Sequence, residues 1–329
     1  MTPALARQFL GGLIILMCLG GCVSAPQSTA LLQRFEDSSV HATALHYPSK
    51  LLLDSVPFFA QEQYQCGPAA LATVLQASHV SVLPDALVAQ VYVPSRKGSL
   101  QVEMLAAARR YGRVAYTLPP SLEALLAELQ SGRPVLVMQN LGLERFAQWH
   151  YAVVVGYDLA EQKLILRSGM VKEYRLALST FERTWQRAEH WAVVMLAPGE
   201  MPVNAEETRY FEAVSGFAQV AENGPQIIAY EAGLALWPRS TTLGMALGNL
   251  HYEARRLVLA REVYSTVLVA SPNYAVAHNN LAQVLFELDE LALAKEHAEK
   301  AVALGGSFSE NYKKTLESIN QSLINKSND

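Results

Sequence analysis

The chain has 329 residues, 51% hydrophobic and 17% charged, with 26 Lys and Arg against 30 Asp and Glu. That length predicts about two domains of ~150 residues, the apolar fraction supports packed cores and not a disordered tail, and a formal net charge of -4 gives no electrostatic grip on nucleic acid. Three scattered Cys without paired Cys/His spacing exclude a disulfide framework and a zinc ribbon, so neither metal nor cofactor is expected.

Arg7 precedes an apolar run from Phe9 to Leu19 that ends in Gly20-Gly21-Cys22. A run of that length falls short of the ~20 helical residues a bilayer requires, so it predicts an export segment and not a permanent transmembrane helix. Leu19-Gly20-Gly21-Cys22 resembles a bacterial lipobox. The resemblance implies that residues 1–21 are removed as a signal peptide and that Cys22 becomes a lipidated N-terminus. A plain secretory signal with an incidental Cys22 is the alternative. Val23 in place of Asp implies the outer membrane, facing the periplasm. Residues 22–48 then read as a polar tether, and Cys66 becomes the one unmodified thiol of the mature chain. Such a thiol in an oxidising compartment is either buried and inert or kept because it reacts.

Residues 49–200 mix short helical and strand patterns. Helices are predicted over Ala69–Ser78, Ser99–Tyr111 and Ser121–Gln130, the last with Ser121 as N-cap behind Pro119-Pro120 and a stop before Gly132. Short apolar runs at Pro134–Met138, Tyr151–Val155, Lys163–Leu166 and Trp191–Met195 predict strands. Ser179-Thr-Phe-Glu182 has capping-box spacing for one further helix. Helices first and an antiparallel sheet second is an α+β arrangement.

Over residues 205–323 strand patterns vanish and a repeat emerges. Pro238 and Pro272, Tyr230 and Tyr264, Leu247 and Leu281, and Ala260 and Ala294 are each 34 apart. That is the period of tetratricopeptide helix hairpins. A degenerate first repeat covers 207–240, two fuller ones follow, and 307–323 reads as a capping helix of an all-α stack.

The chemistry concentrates at Val56-Pro-Phe-Phe-Ala-Gln-Glu-Gln-Tyr-Gln-Cys66-Gly-Pro-Ala-Ala-Leu71. Cys66 stands where an extended entry meets a helix, with Pro68 in the first turn. A thiol there meets the positive end of the macrodipole and unpaired N–H groups, which favours thiolate. Gly67 keeps the approach to sulfur open, and an upstream amide side chain joins the Cys66 N–H as a second oxyanion donor. The base is sought among eight His. His150 opens a strand whose rim can face a helix N-terminus, whereas His79, His190, His251, His278 and His297 receive no role.

The pair VPFFAQEQYQCGPAAL and HYAVVVGYD resembles the papain-like cysteine peptidase domain of the bacteriocin-processing, double-glycine leader family, over about residues 50–198. The resemblance implies an α+β papain-like fold, here followed by tetratricopeptide repeats. It implies Cys66 as nucleophile, His150 as general base and later acid, and a Gln upstream as oxyanion donor. The family Gln stands six positions before the Cys; here that is Ala60, so Gln61 is assigned, with Gln63 and Gln65 close by. The family's third member, an Asp, corresponds to Ser168, which can orient an imidazole without stabilising its charge. Asp158 reads as a turn, and Asn140 is a further orienting amide. Trp149 and Tyr151 read as pocket wall or core. The expected function is a membrane-anchored, periplasmic cysteine peptidase acting on polypeptides, with repeats that dock a protein partner. The alternatives are a peptide-binding adaptor that has lost turnover, and amide or acyl-transfer chemistry on cell-wall peptides.

Overall fold

The computed structural model describes residues 25–41, 48–60, 65–143 and 145–328. The export segment, Cys22 and Gln61 lie outside the described residues. Among the described residues, no helix is long and apolar enough to cross a membrane.

Helix α1 (Pro26–His41) occupies most of the stretch expected as a polar tether. It is docked rather than free. The Glu182 carboxylate accepts the Gln27 N–H at 2.9 Å and the Ser28 N–H at 2.7 Å, capping the helix from across the fold. The Gln27 side chain donates to the Pro120 carbonyl and accepts the Leu122 N–H, and Leu31 enters the core. Glu182 is thereby diverted from the capping box expected at Ser179: that helix begins at Leu178 with no side-chain cap.

A seven-stranded antiparallel sheet carries the N-terminal part. Its strands are β1 (Lys50–Leu52), β4 (Val114–Thr117), β5 (Val135–Asn140), β6 (Trp149–Asp158), β7 (Lys163–Ser168), β8 (Val171–Ala177) and β9 (Ala192–Leu196). The order is β4-β9-β5-β6-β7-β8, with β1 added to β6. Strand β8 is almost wholly exposed and β4 has four residues, so neither shows the long apolar run, buried on both faces, that marks β5, β6 and β9. The remaining two strands, β2 (Tyr92–Val93) and β3 (Gly98–Ser99), form a separate small hairpin.

Helices cover both faces. On one, Tyr151, Val153 and Val155 of β6 pack with α2 (Cys66–Ala77), α3 (Pro84–Val91) and α4 (Gln101–Arg110). On the other, Ala152 and Val154 pack with α5 (Leu122–Gln130) and α6 (Leu178–Gln186). Ser121 caps α5 as the sequence predicts, accepting the Glu123 and Ala124 N–H groups.

The C-terminal part is a run of helices: α7 (Glu207–Ala218), α8 (Asn223–Leu236), α9 (Thr241–Glu253), α10 (Leu257–Ala270), α11 (Ala275–Glu287), α12 (Leu291–Leu304) and α13 (Ser309–Asn328). Small residues at the repeat positions let paired helices touch. A Cβ on Gly248 of α9 would lie 2.4 Å from the Tyr264 ring of α10. The two parts share one core: Tyr210, Val214 and Phe217 of α7 join Val114, Tyr116 and Leu196 of the sheet. The connecting segment is pinned by the Val203 N–H on Glu128 at 2.7 Å and by the Glu206 N–H on the Tyr116 hydroxyl at 3.0 Å.

In the repeats, His278 Nδ1 lies 2.8 Å from His297 Nδ1, and His278 Nε2 lies 2.9 Å from the Pro272 carbonyl. That carbonyl can only accept, so Nε2 of His278 carries its proton and Nδ1 receives one from His297. Burial, then the neighbouring His278 and Lys300, push the His297 imidazole down, with Glu296 opposing. A base depressed in the folded state binds fewer protons than in the unfolded chain. Its stabilisation is complete above pH 6.5 and is lost as pH falls below that. The melting temperature is expected to drop between pH 7.5 and 5.5 by thermal unfolding, and by less in His297→Gln.

Candidate active site

Cys66 opens α2, with Gln65 as N-cap making no side-chain cap. The N–H groups of Tyr151, Gly67 and Cys66 itself face the sulfur. The Tyr151 contact sets the thiol against β6, one residue from His150. The Tyr151 ring is buried in the core, and its hydroxyl donates to the Ser99 carbonyl at 3.3 Å. Gly67 serves a different purpose from the one expected. A Cβ there would lie 2.1 Å from Ser99 Oγ, so its smallness admits the β3 side chain against the head of α2. Ser99 Oγ is itself buried and has no hydrogen-bond partner among the described residues.

His150 stands second in β6, paired with Gln139 of β5. Its Nε2 lies 2.8 Å from Ser168 Oγ at the end of β7. Antiparallel pairing of adjacent strands thus brings the His150 imidazole and the Ser168 hydroxyl to one end of the sheet. Nε2 is engaged by Ser168, which leaves Nδ1 as the nitrogen for the thiol. Cys66 and His150 line a single cavity of about 820 Å³, with Arg96, Lys97, Ser99, Gln101, Met138 and Trp149 among its other walls. Among the described residues, no hydrogen bond joins the sulfur to the ring; apo thiol–imidazole geometry is commonly loose.

The protonation states depart from the expected thiolate. Burial pushes the Cys66 thiol up, and the three backbone N–H groups that favour the anion do not offset it. Burial pushes the His150 imidazole down. Both shifts favour the neutral thiol beside the neutral imidazole, because desolvation penalises either charged form. The macrodipole argument holds for an exposed helix start; this one is roofed by the β2–β3 hairpin and β6.

Two other sequence candidates find structural work. Asn140 is buried, and its Oδ1 accepts the Gly142 N–H at 3.0 Å and the Gln148 N–H at 2.9 Å, tying the β5–β6 loop instead of orienting His150. Asp158 accepts the Glu161 N–H at 3.1 Å, as expected of a turn. The sequence reading missed Arg167, a fully buried guanidinium on β7. It donates to the carbonyls of Val56, Asp54 and Lys172 at 2.7 to 3.3 Å. It clamps the chain entering the Cys66 segment to the strand that bears Ser168. The available signal was a charge inside the apolar run Leu164-Ile-Leu-Arg167.

Ser168→Asp would place a carboxylate where the neutral hydroxyl orients the ring. An opposite charge at this range raises an imidazole by about 1 to 3 pH units. In Ser168→Asp the His150 imidazole is expected to titrate about one pH unit or more higher than in the wild type, a rise absent from Ser168→Ala. NMR titration of the ring in the three proteins checks this.

Residues 53–193 match the sequence model of the Peptidase_C39 like family. Solved structures similar to this chain include a C39-like protein of Bacillus anthracis, at 18% identity over 45% of this chain and 97% of that one, with a TM-score of 0.39. A double glycine motif protease from an AMS/PCAT transporter, in complex with its leader peptide, is 22% identical over 43% of this chain and 91% of that one, with a TM-score of 0.32. The first TPR domain of human RPAP3 is 19% identical over 37% of this chain and 95% of that one, with a TM-score of 0.34. No curated protein matches the chain.

Proposed function

We propose, from a C39-like domain at residues 53–193 followed by TPR-like helices, that the chain is a cysteine peptidase. The observation that carries the reading is the meeting of Cys66, from the head of a helix, and His150, from the rim of the sheet, in one cavity. Cys66 Sγ attacks the scissile carbonyl carbon as His150 takes the thiol proton. The Cys66 N–H and the Gln61 amide hold the oxyanion. His150 then gives the proton to the departing amine, leaving an acyl thioester. A water, deprotonated by His150, cleaves the thioester and restores the thiol. Ser168 keeps the ring turned so that one nitrogen faces the sulfur. Polypeptides are the substrate class.

In the same reading Cys22 carries lipid after removal of 1–21, which anchors the protein to a bacterial membrane, facing the periplasm, and the repeats dock a protein partner. Helical hairpins stacked in this way offer a concave surface for extended peptides or helices.

A second reading, a peptide-holding adaptor without turnover, is favoured by the neutral Ser168 and by the neutral resting pair. One experiment separates the two. The full-length protein is incubated with a proteome-derived peptide library, and new termini are read by mass spectrometry. The peptidase reading expects termini with the wild type that vanish with Cys66→Ala. Retention of uncleaved peptides, equal in both proteins, sinks it in favour of the adaptor.

A further inference from the structure

Beyond the cleft, the densest run of exposed large apolar residues near the site lies on the β5–β6 loop. Leu143 is 71% exposed, Phe146 72% and Trp149 55%, and Met170 on the neighbouring β7–β8 turn is 72% exposed. Among the described residues, hydrogen bonds tie the loop of this lip together on either side of position 144. The Asn140 amide gathers the Gly142 and Gln148 N–H groups, the Leu141 N–H donates to the Gln148 carbonyl at 2.9 Å, and the Phe146 N–H donates to the Leu143 carbonyl at 3.0 Å. A loop that holds large apolar groups in water is unfavourable unless something covers them. Trp149 lines the cleft, whereas Leu143, Phe146 and Met170 are not among its walls. Arg145 stands in the lip, and Arg96 stands on the facing hairpin. Glu144, beside Arg145, lies outside the described residues.

The position of α1 supplies the second observation. Its first turn is fastened to Pro120 and Leu122, just past the end of β4. Strand β4 runs antiparallel to β9, and β9 to β5, with Thr117 opposite Val193 and Val137 opposite Ala192. The end of β4 and the end of β5 therefore share one end of the sheet, the end that carries the lip and the cleft. Cys22 is three residues before Ala25, a reach of at most ~11 Å. A lipid on Cys22 would enter the bilayer at this end of the molecule, with no slack for the domain to turn over, because Glu182 holds the helix start.

We propose that the lip of Leu143, Phe146, Trp149 and Met170 docks on an anionic lipid surface, with Arg96 and Arg145 toward the headgroups, so that the cleft works at the membrane face. This rests on the anchoring assigned to Cys22 for its orientation, and on the exposed residues for its contact. Aromatic and aliphatic side chains flanked by Arg and Lys are the composition of interfacial membrane contacts. The cleft then receives polypeptide segments that lie close to the bilayer.

The test uses full-length protein in phosphatidylglycerol/phosphatidylethanolamine vesicles with brominated acyl chains, read by tryptophan quenching and by flotation. Quenching is expected in the wild type, abolished in Trp149→Phe, and reduced at least about twofold in the Leu143→Glu/Phe146→Glu double variant. Flotation without quenching at Trp149 overturns the lip while leaving the anchor standing. Absence of both overturns lip and anchor together. Loss of peptide cleavage in the double variant, with quenching unchanged, makes the lip a substrate wall and also overturns the proposal.

Discussion

Cys66→Ala is expected to lower peptide hydrolysis by about 10⁴-fold or more, which in practice reads as complete loss. The step that fails is formation of the carbon–sulfur bond, which requires the Cys66 sulfur. Removing a nucleophile leaves only binding and oxyanion stabilisation, which together retain a small residue of catalysis. His150→Ala behaves differently. The thiol can still ionise in bulk fashion, but burial holds it above its ordinary range. The variant's rate therefore keeps climbing as pH rises past 9, where the wild type has already drawn its thiolate from transfer to the imidazole. A loss of about 10³-fold near pH 7 that shrinks steadily toward pH 10 is the expected signature, read from kcat/KM on a peptide taken from the library digest.

Arg167→Met carries the largest expected effect on stability. The guanidinium satisfies carbonyls of Val56, Asp54 and Lys172 and is itself 2% exposed. An unsatisfied buried polar group costs about 1 to 3 kcal/mol. Three orphaned carbonyls, some of them relieved by water, should destabilise the domain by about 3 kcal/mol, or roughly 6–12 °C of melting temperature for a domain of this size. Arg167→Lys, which keeps the charge but loses the planar fork, should fall between the two. Because two of the clamped carbonyls, those of Asp54 and Val56, belong to the chain that leads into Cys66, kcat should fall as well. Thermal unfolding of the three proteins, followed by circular dichroism, checks the order wild type, Lys, Met.

The central pair was legible because its signals are local. Pro68 in a first helical turn places Cys66 at a helix start, and a β-branched run after His150 places the imidazole at a strand start. Ser168 came from the resemblance alone, whose third member falls on the last residue of β7; no local pattern of its own marks it. What was hidden depends on burial, which no local pattern carries. A helix start alone favours the anion, and what desolvates the thiol comes from segments distant in sequence, the β2–β3 hairpin and β6. Residues 26–41 looked like a tether because their apolar stripe is only Leu31, Leu32 and Phe35; docking is completed by Glu182, whose partner no spacing rule could name. Asn140 resembled an orienting amide by its place after a strand, yet the nearer N–H groups of its own loop claim it.

The pairing of Cys66 with His150 can be tested without knowing a substrate, by the pH dependence of Cys66 alkylation with iodoacetamide in the wild type and in His150→Ala, followed by mass spectrometry of the Cys66 peptide. If the imidazole faces the sulfur, a minority thiolate–imidazolium form keeps the wild type reactive at pH 5 to 7, at least about tenfold above the variant, while both rates rise together past pH 9. Superimposable profiles across the whole range would mean that the two groups share a cavity without sharing a proton, which contradicts the account.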